Sequence, residues 1–210
     1  QITGQFTLKQ IDISLLDLLH TLIPAYFKQP KENLPNEDFF FSFNLKQPYS
    51  ITSLYIPELS IEPFSGEGYY RSSDQTLDFE TRNDEIKYNK IELKGLYIKA
   101  EKKKNSDLKL SINLNELTDD QYLHIQGLKV KANAFGNKVD FDVNGLDTGY
   151  KINMAALGRV VFVKDSIFLQ MSNVDLNIDN HLWELDSNAI CMISGDYLQL
   201  DKFHFSNEEQ

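Results

Sequence analysis

Two stretches of the chain decide its fold: Ile91-Glu-Leu93-Lys-Gly95-Leu96-Tyr-Ile98-Lys99-Ala100 and Leu123-His-Ile125-Gln-Gly127-Leu128-Lys-Val130-Lys131-Ala132. In both, apolar residues recur at i, i+2, i+5 and i+7. Alternation of this kind reads as a strand with one apolar face. Strict alternation would put i and i+5 on opposite faces. One extra residue returns all four to the same face and bends the strand, and the glycine at the slip, Gly95 or Gly127, suits such a bulge. Each stretch leads into a second alternating run. Leu108, Leu110, Ile112 and Leu114 follow the first, and Val139, Phe141 and Val143 follow the second, with polar residues between them.

Looser copies of the pattern occur elsewhere. They are Phe6, Leu8, Ile11, Ile13; Leu54, Ile56, Leu59, Ile61; Leu169, Met171, Val174, Leu176; and Leu198, Leu200, Phe203, Phe205. Six copies point to repeated hairpins. The expected fold is all-β: a long curved antiparallel sheet of bulged hairpins over residues 39–210, rolled into a trough or half-barrel. One short helix precedes it. Ser14 reads as its N-cap and Asp17 as a capping-box acid, and Leu15, Leu18, Leu19 and Leu22 follow helical spacing, so the helix is expected over about 15–23. A polar stretch with Pro30 and Pro35 predicts a loop over about 28–38.

Composition bounds the class. Of 210 residues, 41% are apolar and 25% charged, as in an ordinary globular chain. The net charge is −10, which argues against nucleic acid and anionic lipid surfaces as partners of the chain as a whole. No apolar run is long enough to span a bilayer as a helix. A single cysteine, Cys191, leaves no internal disulfide and no cysteine zinc cluster. The chain begins at Gln1 without a leader and is read as a single β-rich segment, 1–210, of a longer protein. Any membrane anchor then lies outside it.

Chemistry-bearing constellations are sparse. His20, His124, His181 and His204 are scattered and show no metal-ligand spacing. Asp140, Asp142, Asn144 and Gly145 begin like a calcium loop, but Lys151 stands where a bidentate Glu is needed; they read as the wet face of a strand. Ser65–Gly68 reads as a strand-entry turn, and Lys99, Lys102, Lys103 and Lys104 as a solvated hairpin turn. Cys191, in a small apolar strand, reads as an inert core thiol. No catalytic residue, metal or cofactor is expected.

With one short helix, nothing obvious covers the apolar face of so long a sheet. Either the sheet closes on itself, or the face stays open as a binding surface. The residues expected to line it are Leu93, Leu96, Ile98, Leu108, Leu110, Ile112, Ile125, Leu128, Val130, Val139, Phe141 and Val143, with Lys99 and Lys131 pointing the other way.

Near the C-terminal end, Val174-Asp-Leu176-Asn-Ile178, Leu182-Trp183-Glu-Leu185 and Tyr197-Leu-Gln-Leu200-Asp-Lys-Phe203-His-Phe205 follow one another. In this order they resemble the translocation and assembly module inner-membrane subunit family, TamB, in its Bacteroidota form, and the wider AsmA-like set. Lys202 departs from the asparagine the pattern would carry. The resemblance implies a periplasmic protein anchored in the inner membrane of a Gram-negative cell, with a trough of the β-taco kind. It implies phospholipid as cargo, a role in outer-membrane biogenesis, and an outer-membrane barrel assembly subunit as partner. It carries no catalytic residues. The competing expectation is a structural module with a closed core whose sheet edges pair with partner strands; a secreted hydrolase or carbohydrate-binding domain is the third.

Overall fold

A computed structural model of the chain describes residues 1–5, 7, 11–31, 36–48, 56–119, 124–147, 152–178, 181–185 and 189–207. Its elements are β1 (Ile2–Gln5), α1 (Ile11–Leu22), β2 (Asp38–Leu45), β3 (Leu59–Ile61), β4 (Phe64–Arg71), β5 (Thr76–Tyr88), β6 (Ile91–Lys102), β7 (Leu108–Thr118), β8 (His124–Phe135), β9 (Lys138–Asp147), β10 (Ile152–Val163), β11 (Ser166–Ile178), β12 (His181–Leu185), β13 (Ala189–Ser194), β14 (Tyr197–Asp201) and β15 (Phe205–Asn207). The fifteen strands form one antiparallel sheet that does not close into a barrel. Its central path is a meander from β4 to β12, with β1 and β2 at one flank and β15 at the other. The sheet forks twice: β3 pairs with the end of β5 beyond β4, and β13 and β14 continue from the first half of β11 while β12 takes the second half.

The phase slips of the repeat are present in the backbone. Gly95 and Gly127 adopt φ of 64° and 60°, a left-handed conformation that side chains with a Cβ resist. The pairing of β8 with β9 shifts by one residue between Gln126 and Lys129. From β5 to β8 the register is the same on either side of the slip, because neighbouring strands slip at one level. A Cβ built on Gly145 would meet both Ile125 and Leu128, so these residues, three apart, do share a face. In β11 the slip falls at Ser172, where Leu157 pairs with Asn173 but Gly158 with Met171.

The helix packs on one face, at one end of the strands. Leu18 and Leu22 form a buried cluster with Phe39 and Tyr70, and Ile23, Leu77, Leu108 and Ala134 pack against it. The cluster therefore reaches from β2 to β8. A flat sheet would separate those strands by about 24 Å, yet a helix of this length rises only ~17 Å. Just beyond it, Tyr26 meets Phe162 of β10 with ring centroids 6.2 Å apart. One short element touches strands so far apart because the sheet curls around it, and the helix lies on the concave side.

Several local expectations are corrected. The helix runs over Ile11–Leu22, with Ser14 and Asp17 inside it instead of at its N-terminal boundary. Ser14 gives its hydroxyl to the Glu37 carboxylate, and Asp17 accepts from Gln75 Nε2 at 2.7 Å. Tertiary partners thus take both side chains from the backbone capping role. Ile11 and Ile13, read as the end of a repeat copy, are helical; Phe6 and Leu8 of that copy, and Leu54 of the next, lie outside the described residues. The last copy is broken: Leu198 and Leu200 are in β14 and Phe205 in β15, with Lys202 between them at φ 55°. Ser65–Gly68 lies within β4. Its two glycines serve aromatic packing: a Cβ on Gly66 or Gly68 would fall 2.6 Å from Cζ of Phe43 or Phe41, the residue paired with each. Asp38 is the first residue of β2, so the loop ends one residue earlier than expected.

Candidate functional site

Paired residues in an antiparallel ladder project to the same face, so the register can be followed across the sheet. One row runs Phe39, Tyr70, Leu77, Lys102, Leu108, Ala134, Val139, Val160, Leu169, Cys191. Two residues further along the strands, a second runs Phe41, Gly68, Phe79, Ala100, Leu110, Ala132, Phe141, Gly158, Met171, Ala189. The third runs Thr81, Ile98, Ile112, Val130, Val143, Ala156, Val174. Beyond it, Leu96, Leu114 and Leu128 lead to Leu93, Leu117 and Ile125 across the line of slips.

The twelve residues expected to share an apolar face all stand on these rows. The helix covers only their helix-side end, around Leu108. Each of the twelve is partly exposed, and none belongs to the buried cluster. Among the described residues α1 is the single helix, and its contacts with the sheet are confined to the ends of the strands. Among the described residues no second helix or sheet lies over the rest of the face, although Leu114 and Ala156 are buried within it.

From β5 to β9 the opposite face is polar, and across β10, β11 and β13 it is mixed, with Val161, Phe168 and Met192 in one of its rows. Glu80, Lys99, Ser111, Lys131 and Asp142 form one of its rows, so Lys99 and Lys131 do point away from the apolar side. Lower on this face Glu85, Lys87, Glu92, Lys94 and Glu116 form a chain of ion pairs of 2.9–3.5 Å, and His124 contacts Glu116 at 2.7 Å. The two ammonium groups beside Glu92, Lys87 first, hold its carboxyl down at about 2.

Aromatic rings lie down on the concave floor. Phe41 and Phe43 lie over Gly68 and Gly66, and Phe141 lies over Gly158. A ring flat on a glycine covers sheet backbone without standing up into the trough. Beside the first turn of the helix a cavity of about 430 Å³ continues this surface, with Ile11, Leu15, Phe39, Phe41 and Tyr70 in its wall and the buried Glu37 and Ser14 at its polar side. Burial pushes the Tyr70 hydroxyl up to about 12, with Asp17 and Glu37 adding to the effect.

Lys102 is the charged residue of the helix-side row, between Leu77 and Leu108, and it is 4% exposed. Desolvation lowers its pKa, against smaller opposing effects of Asp74 and Asp107. Reading the lysine cluster as a solvated turn is therefore wrong for half of it. Lys99 and Lys102 belong to β6, and only Lys103 and Lys104 are in the turn. The signal was the parity: Ile98, Ala100 and Lys102 alternate in step.

The remaining candidates have structural partners. Asp140 pairs with Arg159, and Asn144 donates to Asp142 on the outer face. His20 Nδ1 contacts the Phe27 carbonyl at 2.7 Å, and His124 contacts Glu116 at 2.7 Å. His181 and His204 lie in separate parts of the C-terminal hairpins. Cys191 is a buried free thiol in β13, paired with Leu169 and Leu200.

Comparison with protein-family models, with curated proteins and with solved structures finds no match for this chain.

Proposed function

We propose that the chain is a segment of a lipid conduit of the TamB and AsmA-like kind, whose concave face holds phospholipid acyl chains on their way between inner and outer membrane. The observation that carries this reading is the continuous apolar face, curled, with its twelve named lining residues partly exposed and, among the described residues, α1 as the single helix upon it. An acyl chain crossing water faces about 0.8 kcal/mol per CH₂, so roughly 12 kcal/mol for a 16-carbon chain. A lining of leucine, isoleucine, valine and phenylalanine removes most of that barrier, because hydrocarbon then exchanges one apolar surrounding for another. The polar outer face keeps such a conduit in solution. In this reading the site is non-catalytic, an anchor and the outer-membrane barrel partner lie outside these residues, and the protein works in the periplasm.

The test is photo-crosslinking in cells. A photoreactive residue at Ile98, Val130 or Phe141 is expected to give phospholipid adducts, and the same residue at Lys99 or Lys131 none. Absence of adducts at all five positions in a folded, expressed protein would overturn the reading. It would favour instead a module that joins other strands, for which the pairing of β14 on one side only among the described residues is the supporting feature.

A further inference from the structure

The five most exposed large apolar side chains among the described residues are Phe135, Tyr26, Leu198, Tyr197 and Leu200, the first four 58–63% exposed. They fall at one end of the strands. Phe135 ends β8 at its turn. Tyr26 follows the helix and touches Phe162, near the end of β10. Phe162, Ile167, Ile193 and Leu198 are successive partners across β10, β11, β13 and β14. Tyr197 stands opposite Ser194, whose other partner is Ser166 at the β10–β11 turn. Leu200 lies two residues further in, about 7 Å deeper.

One strand added beside β14 would cover Leu198 and Leu200 and leave Phe135 bare, since five strand spacings, about 24 Å, separate β8 from β14. A flat boundary between polar and apolar media, lying across the strand ends, meets side chains of both faces, and by register Phe135 and Tyr197 stand on the outer face and Leu198 and Leu200 on the concave one. The charges fit the same geometry. Lys28, Lys103, Lys104, Lys138 and Lys164 are exposed at this end. Asp74, Asp107, Asp165 and Asp196 stand in the turns of this end, so the nine charges sum to +1 in a chain of net charge −10. The acid excess therefore lies elsewhere, and this end approaches a lipid surface with the least repulsion. Long lysine stems can lie along the acyl boundary with their ammonium groups among the headgroups, and tyrosine suits the same depth.

We infer that this end of the sheet, Tyr26 and Phe135 together with the start of β14, docks on a phospholipid bilayer surface and seats the capped end of the trough there. This goes beyond the acyl-groove reading and does not require it.

The test is flotation of the full 210-residue chain with phosphatidylcholine vesicles. The wild type is expected to float, and Tyr26→Ser/Phe135→Ser/Leu198→Ser to lose ~10-fold or more in partitioning. A control at the far end, Tyr88→Ser/Ile91→Ser/Leu146→Ser, replaces residues that are also exposed and is expected to stay within about twofold of the wild type by the same area argument. Circular dichroism checks that both variants fold, and single substitutions replace any triple variant that does not. Failure of the wild type to float, or equal losses in both variants, overturns the proposal. So does a change in oligomeric state without a change in flotation. Capture of a soluble short-chain phospholipid, measured without vesicles, reads the groove separately; it is expected to survive the end variant.

Discussion

The side-chain oxygen of Asn137 accepts a hydrogen bond from the backbone N–H of Ala25 at 2.6 Å, across 112 residues of sequence. The Asn137 N–H in turn donates to the carbonyl of Leu22, the last residue of the helix, at 3.0 Å. A hairpin turn of the sheet thus caps the C-terminus of a helix that lies more than a hundred residues earlier in the sequence. Asn137 can do so because it sits at φ 69°, a conformation asparagine tolerates better than most residues. Asn137→Ala is expected to destabilise the fold by ~1–3 kcal/mol, combining the lost hydrogen bond with backbone strain. Asn137→Gly relieves the strain and leaves ~1 kcal/mol. Urea unfolding of the two variants separates the contributions; equal losses would mean that the backbone strain contributes nothing, and no loss in Asn137→Gly that the side-chain bond contributes nothing.

Gly68 and Gly127 make opposite demands. A Cβ on Gly68 would meet the Phe41 ring at 2.6 Å and the Asp78 carbonyl oxygen at 2.8 Å. Gly127 has open space around it but a φ of 60°. Gly68→Ala should therefore cost ~1–3 kcal/mol through displacement of the ring. Gly127→Ala should cost ~1–2 kcal/mol through the backbone alone. Gly127→Asn is expected to recover part of the second loss, whereas Gly68→Asn should be worse than Gly68→Ala. The same rank at both sites in thermal melts would refute the distinction.

Burial holds the folded Lys102 ammonium below the 10.5 of a free lysine. In the window just beneath that value the unfolded chain binds more protons than the folded one, so stability rises with pH there. Lys102→Met removes that limb of the pH profile. It is also expected to leave stability at neutral pH unchanged or raised, because a poorly solvated charge is replaced by an apolar chain of similar length. A pH series of denaturant unfolding on both proteins checks the slope. A lower stability for the variant at pH 7 would show that the ammonium contributes more through Asp74 and Asp107 than it loses to burial.

Glu92 shows the reverse sign. Its carboxyl is held at about 2 by Lys87 and Lys94, against 4.5 when free. The chain of ion pairs therefore adds stability fully present above about 4.5 and lost as pH falls toward 2. These groups are solvent-facing, so the effect is modest and screened by salt. Glu92→Gln should flatten the acid limb in low salt and match the wild type in 1 M sodium chloride. An acid limb unchanged by the substitution would assign acid sensitivity to other carboxylates.

The strand repeat was legible because its period is local. A slip of one residue with glycine inside it has few other readings, and the alternation in Leu108–Leu114 or Val139–Val143 fixes a face without reference to any neighbour. The curl was legible in kind only. Its tightness depends on where Leu18, Leu22 and Asn137 meet, and that contact spans most of the chain. The helix boundary was missed because Ser14 carries a capping residue's side chain, while its partner, Glu37, lies far off in sequence. The aromatic-on-glycine pairs were hidden for a similar reason: Phe41 and Gly68 become neighbours only once register is set. Lys102 was readable by parity, and the run of lysines around it obscured it.

Whether the concave face is covered decides between a conduit and a closed core, and truncation energetics report on it. Leu18 sits in the buried cluster beneath the helix, so Leu18→Ala should cost ~2–5 kcal/mol, as for a leucine that leaves a cavity. Ile98, Val130 and Phe141 stand on the same face but remain partly exposed. Water already reaches them, and among the described residues no opposing layer is left to line a void. Ile98→Ala is accordingly expected to cost ~1–2 kcal/mol, below the core range for that substitution. Ile98→Thr should unfold nothing, since a hydroxyl on an uncovered wall keeps its water. A loss for Ile98→Ala as large as that for Leu18→Ala, with Ile98→Thr worse still, would mean that another layer packs on this face. Intermediate losses that grow when a phosphatidylcholine-loaded protein is compared with a delipidated one would locate that layer in the bound lipid itself.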